Sequence, residues 1–132
     1  MNRRTATMLV LTPLGLLRLG SAQQGNAGTY KGKWEGMSAS GDFQLALQQE
    51  SGEWKATVSF SIGDNAVPAS VVALKIGGDK LEVRYVFEIG GVKLQSHLTG
   101  TLQNGEFAGK YKTQTVADES PVDEGTCSAK RT

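Results

Sequence analysis

Residues that could act as nucleophiles or metal ligands are scarce in this 132-residue chain, which has one histidine and one cysteine. His97 lies in an alternating stretch whose parity places its side chain on the outer face, beside Gln95 and Thr99. No second histidine is present to complete a site, so we do not expect a metal there. Cys127 has no histidine on its face to serve as a base, so we interpret it as a small core residue. The sequence therefore predicts no catalytic residue, no metal and no cofactor.

Acidic residues concentrate in the longest irregular stretch, Val116 to Glu124, which also contains Pro121. The acids are Asp118, Glu119, Asp123 and Glu124. They could bind calcium or a basic partner, but their spacing matches no EF-hand loop, which favours a solvated charged loop. An enzyme would need an acid and a base that converge in a cavity, and no inward histidine or acid is predicted. We therefore expect a protein that is not an enzyme.

Residues 1–22 are typical of a cleaved export signal. They have a basic start, an apolar run from Met8 to Leu17, and the small residues Gly20 and Ala22 at the spacing of a cleavage site. The apolar run falls short of the roughly 20 residues that span a bilayer, so no membrane segment is expected after cleavage. We predict export to the periplasm or the medium, a flexible segment over 23–29, and a single domain over 30–132.

Charge and cysteine content limit the possible partners. Residues 1–22 contain three arginines and no acid, so the remaining chain has 11 basic and 13 acidic residues. Nucleic-acid binding requires a basic excess that displaces counterions, and none is present; an anionic membrane surface is disfavoured for the same reason. A single cysteine allows no internal disulfide, so packing alone must stabilise the domain.

Turn signals divide the chain into short alternating segments. They are Ser40-Gly41, Ser51-Gly52, Gly63-Asp64-Asn65, Gly77-Gly78-Asp79, Gly90-Gly91 and Asn104-Gly105. Apolar and polar residues alternate in each segment between them. In the fourth segment, which has an irregular start at Pro68, the apolar positions are Val72, Leu74 and Ile76. This pattern predicts an all-β fold, a single eight-stranded antiparallel up-and-down (meander) barrel, because closure removes exposed edges. A flat or open meander is the alternative.

Two short motifs resemble a known superfamily. Gly32-Lys33-Trp34 on the first strand and Arg131 on the last are similar to the Gly-x-Trp and terminal arginine of the lipocalins and their calycin relatives. The chain also resembles short exported bacterial barrels that open with Gly-x-Trp-x-Gly and end with Gly-Thr-Trp-x-Ala-x-Arg, except that Cys127 occupies the tryptophan position. The resemblance implies a lipocalin- or avidin-like barrel in which the arginine lies across the tryptophan and plugs one end.

Strand order places Trp54 and Phe107 at the same end of the barrel as Arg131. The predicted plug therefore consists of Trp34, Trp54, Phe107 and Arg131. A cation over the Trp34 ring would contribute about 0.5 to 2 kcal/mol.

The opposite end is the predicted mouth, and its inward residues form the candidate ligand site. These residues are Phe43, Phe60, Tyr85, Phe87, Leu94, Ser96, Tyr111 and Thr113. An eight-stranded barrel either fills itself or holds one small ligand. We therefore expect an exported barrel that binds a small hydrophobic or amphipathic molecule. The alternative is a filled barrel that acts through its loops as a protein-interaction or accessory module of the cell envelope, with a partner that the sequence does not identify.

Overall fold

A computed structural model describes residues 26–132, and the predicted export signal lies outside the described residues. The strands are β1 (Gly28–Glu35), β2 (Ser40–Glu50), β3 (Glu53–Ile62), β4 (Asn65–Pro68), β5 (Ser70–Gly77), β6 (Lys80–Ile89), β7 (Val92–Gln103), β8 (Glu106–Thr115) and β9 (Pro121–Arg131). The first strand thus begins two residues before the predicted domain start at Tyr30. Within residues 26–132, no helix has the length and apolar character needed to cross a membrane.

The strands form one antiparallel sheet in the order β4-β3-β2-β1-β9-β8-β7-β6-β5. Strands that are neighbours in the sheet are also consecutive in the chain, except for β1 and β9. These two strands pair with each other, with Tyr30 opposite Arg131 at one end of the ladder and Glu35 opposite Thr126 at the other. The sheet curves into a nearly closed barrel, with β3 packed beside β5. The prediction of an all-β antiparallel barrel is confirmed in this form.

The barrel has nine strands, so the prediction of eight was wrong. The predicted fourth strand is divided at Ala69: β4 pairs with β3, whereas β5 pairs with β6. Proline fixes φ and has no N–H to donate to a ladder, so Pro68 is a natural point for the chain to change partner. A bulge between Val71 and Ala73 then shifts the alternation by one residue. Val72, predicted inward, is therefore exposed.

The hairpin turns separate a mouth end from a closed end. The predicted turn at Ser40-Gly41 is instead the start of β2, and the β1–β2 connection is 36–39. That connection lies at the mouth end with 63–64, 90–91 and 116–120, while 51–52, 78–79 and 104–105 lie at the closed end. Several turn residues have positive φ, including Ser51 and Asn104, as these tight connections require.

Inward side chains fill the barrel from its middle to the closed end. Tyr30, Leu45, Leu47, Val83, Leu98, Leu102 and Phe107 are all buried. The Phe107 ring stacks on that of Phe43, with centroids 6.3 Å apart. The same ring occupies the space into which a side chain at Gly100 or Gly109 would project. The inward glycines therefore do not open a cavity in this half, because an aromatic ring fills the space they leave.

The closed end differs from the predicted plug. Arg131 is exposed, and its guanidinium carbon lies 5.9 Å from the centroid of the Tyr30 ring, with a hydrogen bond from Nη1 to Ala27 O at 3.3 Å. Trp34 pairs with Cys127, four residues before Arg131 on β9, and so lies nearer the mouth. Phe107 is a buried core residue, and Trp54 is half-buried and packs against the core. The cation therefore covers a tyrosine instead of the tryptophan.

Candidate ligand-binding cavity

A cavity of about 200 Å³ opens at the mouth end, above the filled half of the barrel. All eight residues predicted to bind a ligand line it, contributed by β2, β3, β6, β7 and β8. Trp34 and Cys127 line it as well, together with Asp123. An apolar cavity of about 150 Å³ accommodates a benzene molecule, so this one has room for a single ring or a short chain.

Aromatic side chains form much of the cavity wall. The Trp34 ring meets Phe60 and Tyr111 edge to face, at centroid distances of 6.2 and 6.1 Å. Phe60 in turn contacts Phe87 at 4.9 Å, also edge to face. Such pairs contribute about 0.5 to 1.5 kcal/mol each beyond the area they bury, so they hold one another in place.

Trp34 is fixed by a hydrogen bond as well as by packing. Its Nε1 donates to Ser61 O at 2.7 Å. This bond depends on Gly41, because a Cβ there would lie 2.8 Å from the indole nitrogen and would also collide with the Ser61 carbonyl. The tryptophan thus ties β1 to β3 across the intervening β2.

Two hydroxyl groups form a polar spot on the cavity wall. Ser96 and Thr113 are cross-strand neighbours on β7 and β8, and both are buried. Their Oγ and Oγ1 atoms are 2.5 Å apart and form a hydrogen bond. A hydroxyl can donate once and accept twice, so the pair retains capacity for a ligand.

A carboxylate lies at the opening of the cavity. Tyr111 Oη donates to Asp123 Oδ2 at 2.8 Å, and the backbone N–H of Met37 donates to Oδ1 at 2.9 Å. Burial, together with the adjoining Asp123, raises the pKa of Tyr111, so the phenol remains a donor. Gly36 is needed here, because any Cβ at this position would collide with both Asp123 Oδ2 and the Tyr111 hydroxyl.

Asp123 was not predicted to line the cavity. The sequence suggested an irregular loop from Val116 to Glu124, whereas β9 begins at Pro121 and continues the alternation that leads to the buried Cys127 and Ala129. Counting back in steps of two from Cys127 places Gly125 and Asp123 on the inner face. That parity was the available signal.

The remaining candidates for chemistry lie apart from one another. His97 Nε2 is 2.6 Å from Glu82 Oε2 on the outer face, where its cross-strand neighbours are Arg84 and Lys112. Among the described residues, no cluster of histidine, cysteine and acidic side chains is placed to hold a metal. The Asp118 carboxylate accepts hydrogen bonds from Thr115 and Ser120, which lower its pKa and order the 116–120 connection.

We expect the free energy of unfolding to fall at alkaline pH. Burial raises the pKa of the Cys127 thiol from 9.0 to about 12, so the folded chain retains a proton that the unfolded chain releases between these values. The stabilisation is complete below pH 9 and is lost as the pH approaches 12. Burial also raises the pKa of Tyr85 and of Tyr111 above the ordinary value of 10.0, so these phenols contribute to the same loss of stability at high pH. Urea unfolding at about pH 8 and about pH 10.5 tests this. Cys127→Ala should show a shallower decline, and equal stability at both pH values would contradict the prediction.

Exposed apolar side chains surround the opening. In the described part of the chain, the large hydrophobic residues that remain exposed are Met37, Val72, Ile89, Val92, Val116 and Val122. All except Val72 lie at the mouth end, in or beside its connections. We call these five residues the mouth rim. An apolar rim around an apolar cavity is typical of a site that admits or contacts an apolar molecule.

Comparison of the chain with protein-family models, curated proteins and solved structures finds no match in any of the three. Functional inference therefore depends on the geometry of the cavity.

Proposed function

We propose that the protein is an exported, non-enzymatic barrel of calycin type that binds one small hydrophobic or amphipathic molecule through the mouth end. The observation that carries the proposal is the 200 Å³ cavity, which has aromatic walls and only a few polar groups. Ligand sites in proteins have this composition, since apolar walls supply affinity and a few polar atoms fix orientation.

Other features support the proposal. The hydrogen-bonded Ser96 and Thr113 hydroxyls offer an orientation point inside the cavity. The Gly-x-Trp of β1 and the export-like residues 1–22 support the calycin type and the exported location. The only histidine is paired with Glu82 on the outer face, away from the cavity, which favours binding over catalysis.

The first test is native mass spectrometry of residues 23–132, produced by export from a bacterial host and purified without detergent. The protein is then exposed to a mixture of single-ring aromatics, small aromatic amines, short-chain alcohols and medium-chain fatty acids. We expect a reproducible added mass that disappears on denaturation. A clean apo mass under all conditions would contradict the proposal.

Phe87→Trp should weaken uptake at least about tenfold, because the larger indole occupies a cavity with room for little more than one ring. Val72→Trp is the matched control, since Val72 is exposed on the outer wall. Equal uptake by the two variants would show that the ligand binds elsewhere.

A second candidate function is docking of a protein partner on the mouth rim, which would make the protein an accessory module of the cell envelope. The exposure of Met37, at 75%, and of Val92, at 50%, favours it. Phe87→Trp should leave such docking intact, because the substitution lies inside the cavity.

A further inference from the structure

Among the cavity-lining residues within 26–132, only Asp123 has a carboxylate side chain. The other titratable groups along the wall, Tyr85, Tyr111 and Cys127, are protonated at neutral pH. No lysine, arginine or histidine is among the lining residues of the described chain. The cavity therefore presents a single negative charge to whatever enters it.

The position of that charge is fixed by the fold. The Tyr111 hydroxyl and the Met37 N–H each occupy one oxygen of the carboxylate, at 2.8 and 2.9 Å. A carboxylate has about four acceptor positions, so two donors leave it able to accept from a ligand as well. Gly36 leaves room for this contact, because a Cβ there would collide with Asp123 Oδ2 and would lie 2.5 Å from the Tyr111 hydroxyl oxygen.

One aromatic residue, Tyr111, contacts the carboxylate directly, and further rings pack in series behind it. The Tyr111 hydroxyl donates a hydrogen bond to Asp123, and the Tyr111 ring meets the Trp34 ring, with centroids 6.1 Å apart. Phe60 and Phe87 continue the wall. Aromatic rings attract cations through their quadrupole, and rings combined with an anionic group are a recurring way to bind ammonium ligands.

The charges within the mouth connections have the same sign, and the neighbouring Lys93 on β7 is opposite Glu88 on β6. The four mouth connections, 36–39, 63–64, 90–91 and 116–120, contain Asp64, Asp118 and Glu119 and no basic residue. A cation would be attracted towards the opening, whereas an anion such as a fatty-acid carboxylate would be repelled.

From these observations we infer that the ligand is a cationic amine that carries a small apolar group, with its nitrogen beside Asp123 and close to the Trp34 and Tyr111 rings. The inference rests on the proposed function, since it specifies the ligand class of the same cavity. The apolar group lies deeper, against Phe60 and Phe87, and the mouth rim surrounds the entrance.

The test compares two probes of nearly identical shape, phenyltrimethylammonium and its neutral counterpart tert-butylbenzene, by calorimetric titration of residues 23–132. We expect the cation to bind at least about tenfold more tightly, as for an ion that gains both a counter-charge and aromatic contacts. Equal binding, or tighter binding of the neutral probe, would overturn the inference and leave the proposed cavity function intact. Binding of neither probe would count against both.

Asp123→Asn extends the test by removing the charge while keeping an acceptor for Tyr111. The affinity for phenyltrimethylammonium should fall about tenfold, and that for tert-butylbenzene should change less than about twofold. Glu119→Gln is the matched control, because it removes a mouth charge that does not line the cavity. If Asp123→Asn weakens the binding of both probes equally, or if Glu119→Gln weakens binding as much as Asp123→Asn does, a specific role for Asp123 is excluded. The comparison of probes on the unmodified protein stands even if the Asp123 variant does not fold.

Discussion

Trp34→Ala is expected to lower the free energy of unfolding by about 3 to 5 kcal/mol, the range for truncating a large buried aromatic side chain. The ring is 8% exposed and meets Phe60 and Tyr111 edge to face. Its loss also removes the partner of Ser61 O, which leaves a part-buried carbonyl unsatisfied. Since domains of this size are stable by about 5 to 15 kcal/mol, the variant should be unfolded to a measurable extent at moderate temperature.

Urea denaturation measures this effect, and Trp54→Ala is the control. Trp54 is only half-buried, so its truncation should cost clearly less than that of Trp34. Trp34→Phe separates packing from hydrogen bonding, because it keeps a ring and removes the Nε1 donor; we expect a loss of about 1 to 3 kcal/mol. If Trp34→Ala cost less than about 1 kcal/mol, Trp34 would not be the tie between β1 and β3 that the structure indicates.

Gly32→Ala is the second substitution with a large expected effect, a loss of about 3 kcal/mol, at the upper end of the cost of overpacking. Gly32 is paired with Phe43 on β2 and Ala129 on β9. A Cβ at this position would collide with Ser128 O and would lie 2.5 Å from the Ala129 Cα. Because both contacts are with backbone, no side chain can rotate away, and β9 must separate from β1.

Gly77→Ala provides the matched control. A Cβ at Gly77 meets no atom within 4 Å. The same chemical change should therefore be neutral or stabilise the fold by up to about 1 kcal/mol, through the reduced freedom of the unfolded chain. Thermal or urea unfolding measures the stabilities of the two variants side by side. Equal stabilities would show that β1 and β9 do not approach each other closely at Gly32.

Much of the fold was predictable because alternation is a local property. The inward positions of β6, such as Val83, Tyr85 and Phe87, follow directly from the period of two. Interruptions of that period were not predictable from composition. The bulge at Val71/Ala73 moves Val72 to the outside, and the change of partner at Ala69 turns one predicted strand into two. Both depend on contacts between strands, which the residue pattern of a single strand does not contain.

The candidate site divides in the same way. Residues such as Ser96 on β7 and Thr113 on β8 come together in the cavity wall where parity placed them. Asp123 was missed because proline and charge suggested a loop where β9 already alternates. The predicted pairing of Arg131 with Trp34 was wrong. The register of β1 and β9 decides which ring lies beside the arginine, and it places Tyr30 opposite Arg131.

The register of β1 and β9 has a consequence for how the chain folds. Every other strand pair joins neighbours in sequence, whereas this one joins segments about a hundred residues apart, and the Thr132 N–H donates to Thr29 O at 2.9 Å. The ends of the barrel domain thus lie in the middle of the sheet, while the sheet edges lie in the middle of the chain, at Pro68 and Ser70. A circular permutant that linked Thr132 to Gly28 and was cut at Ala69 would contain only local strand pairings. In the native order, completing the sheet requires the closure of one long loop, which has a larger entropic cost than the hairpin closures.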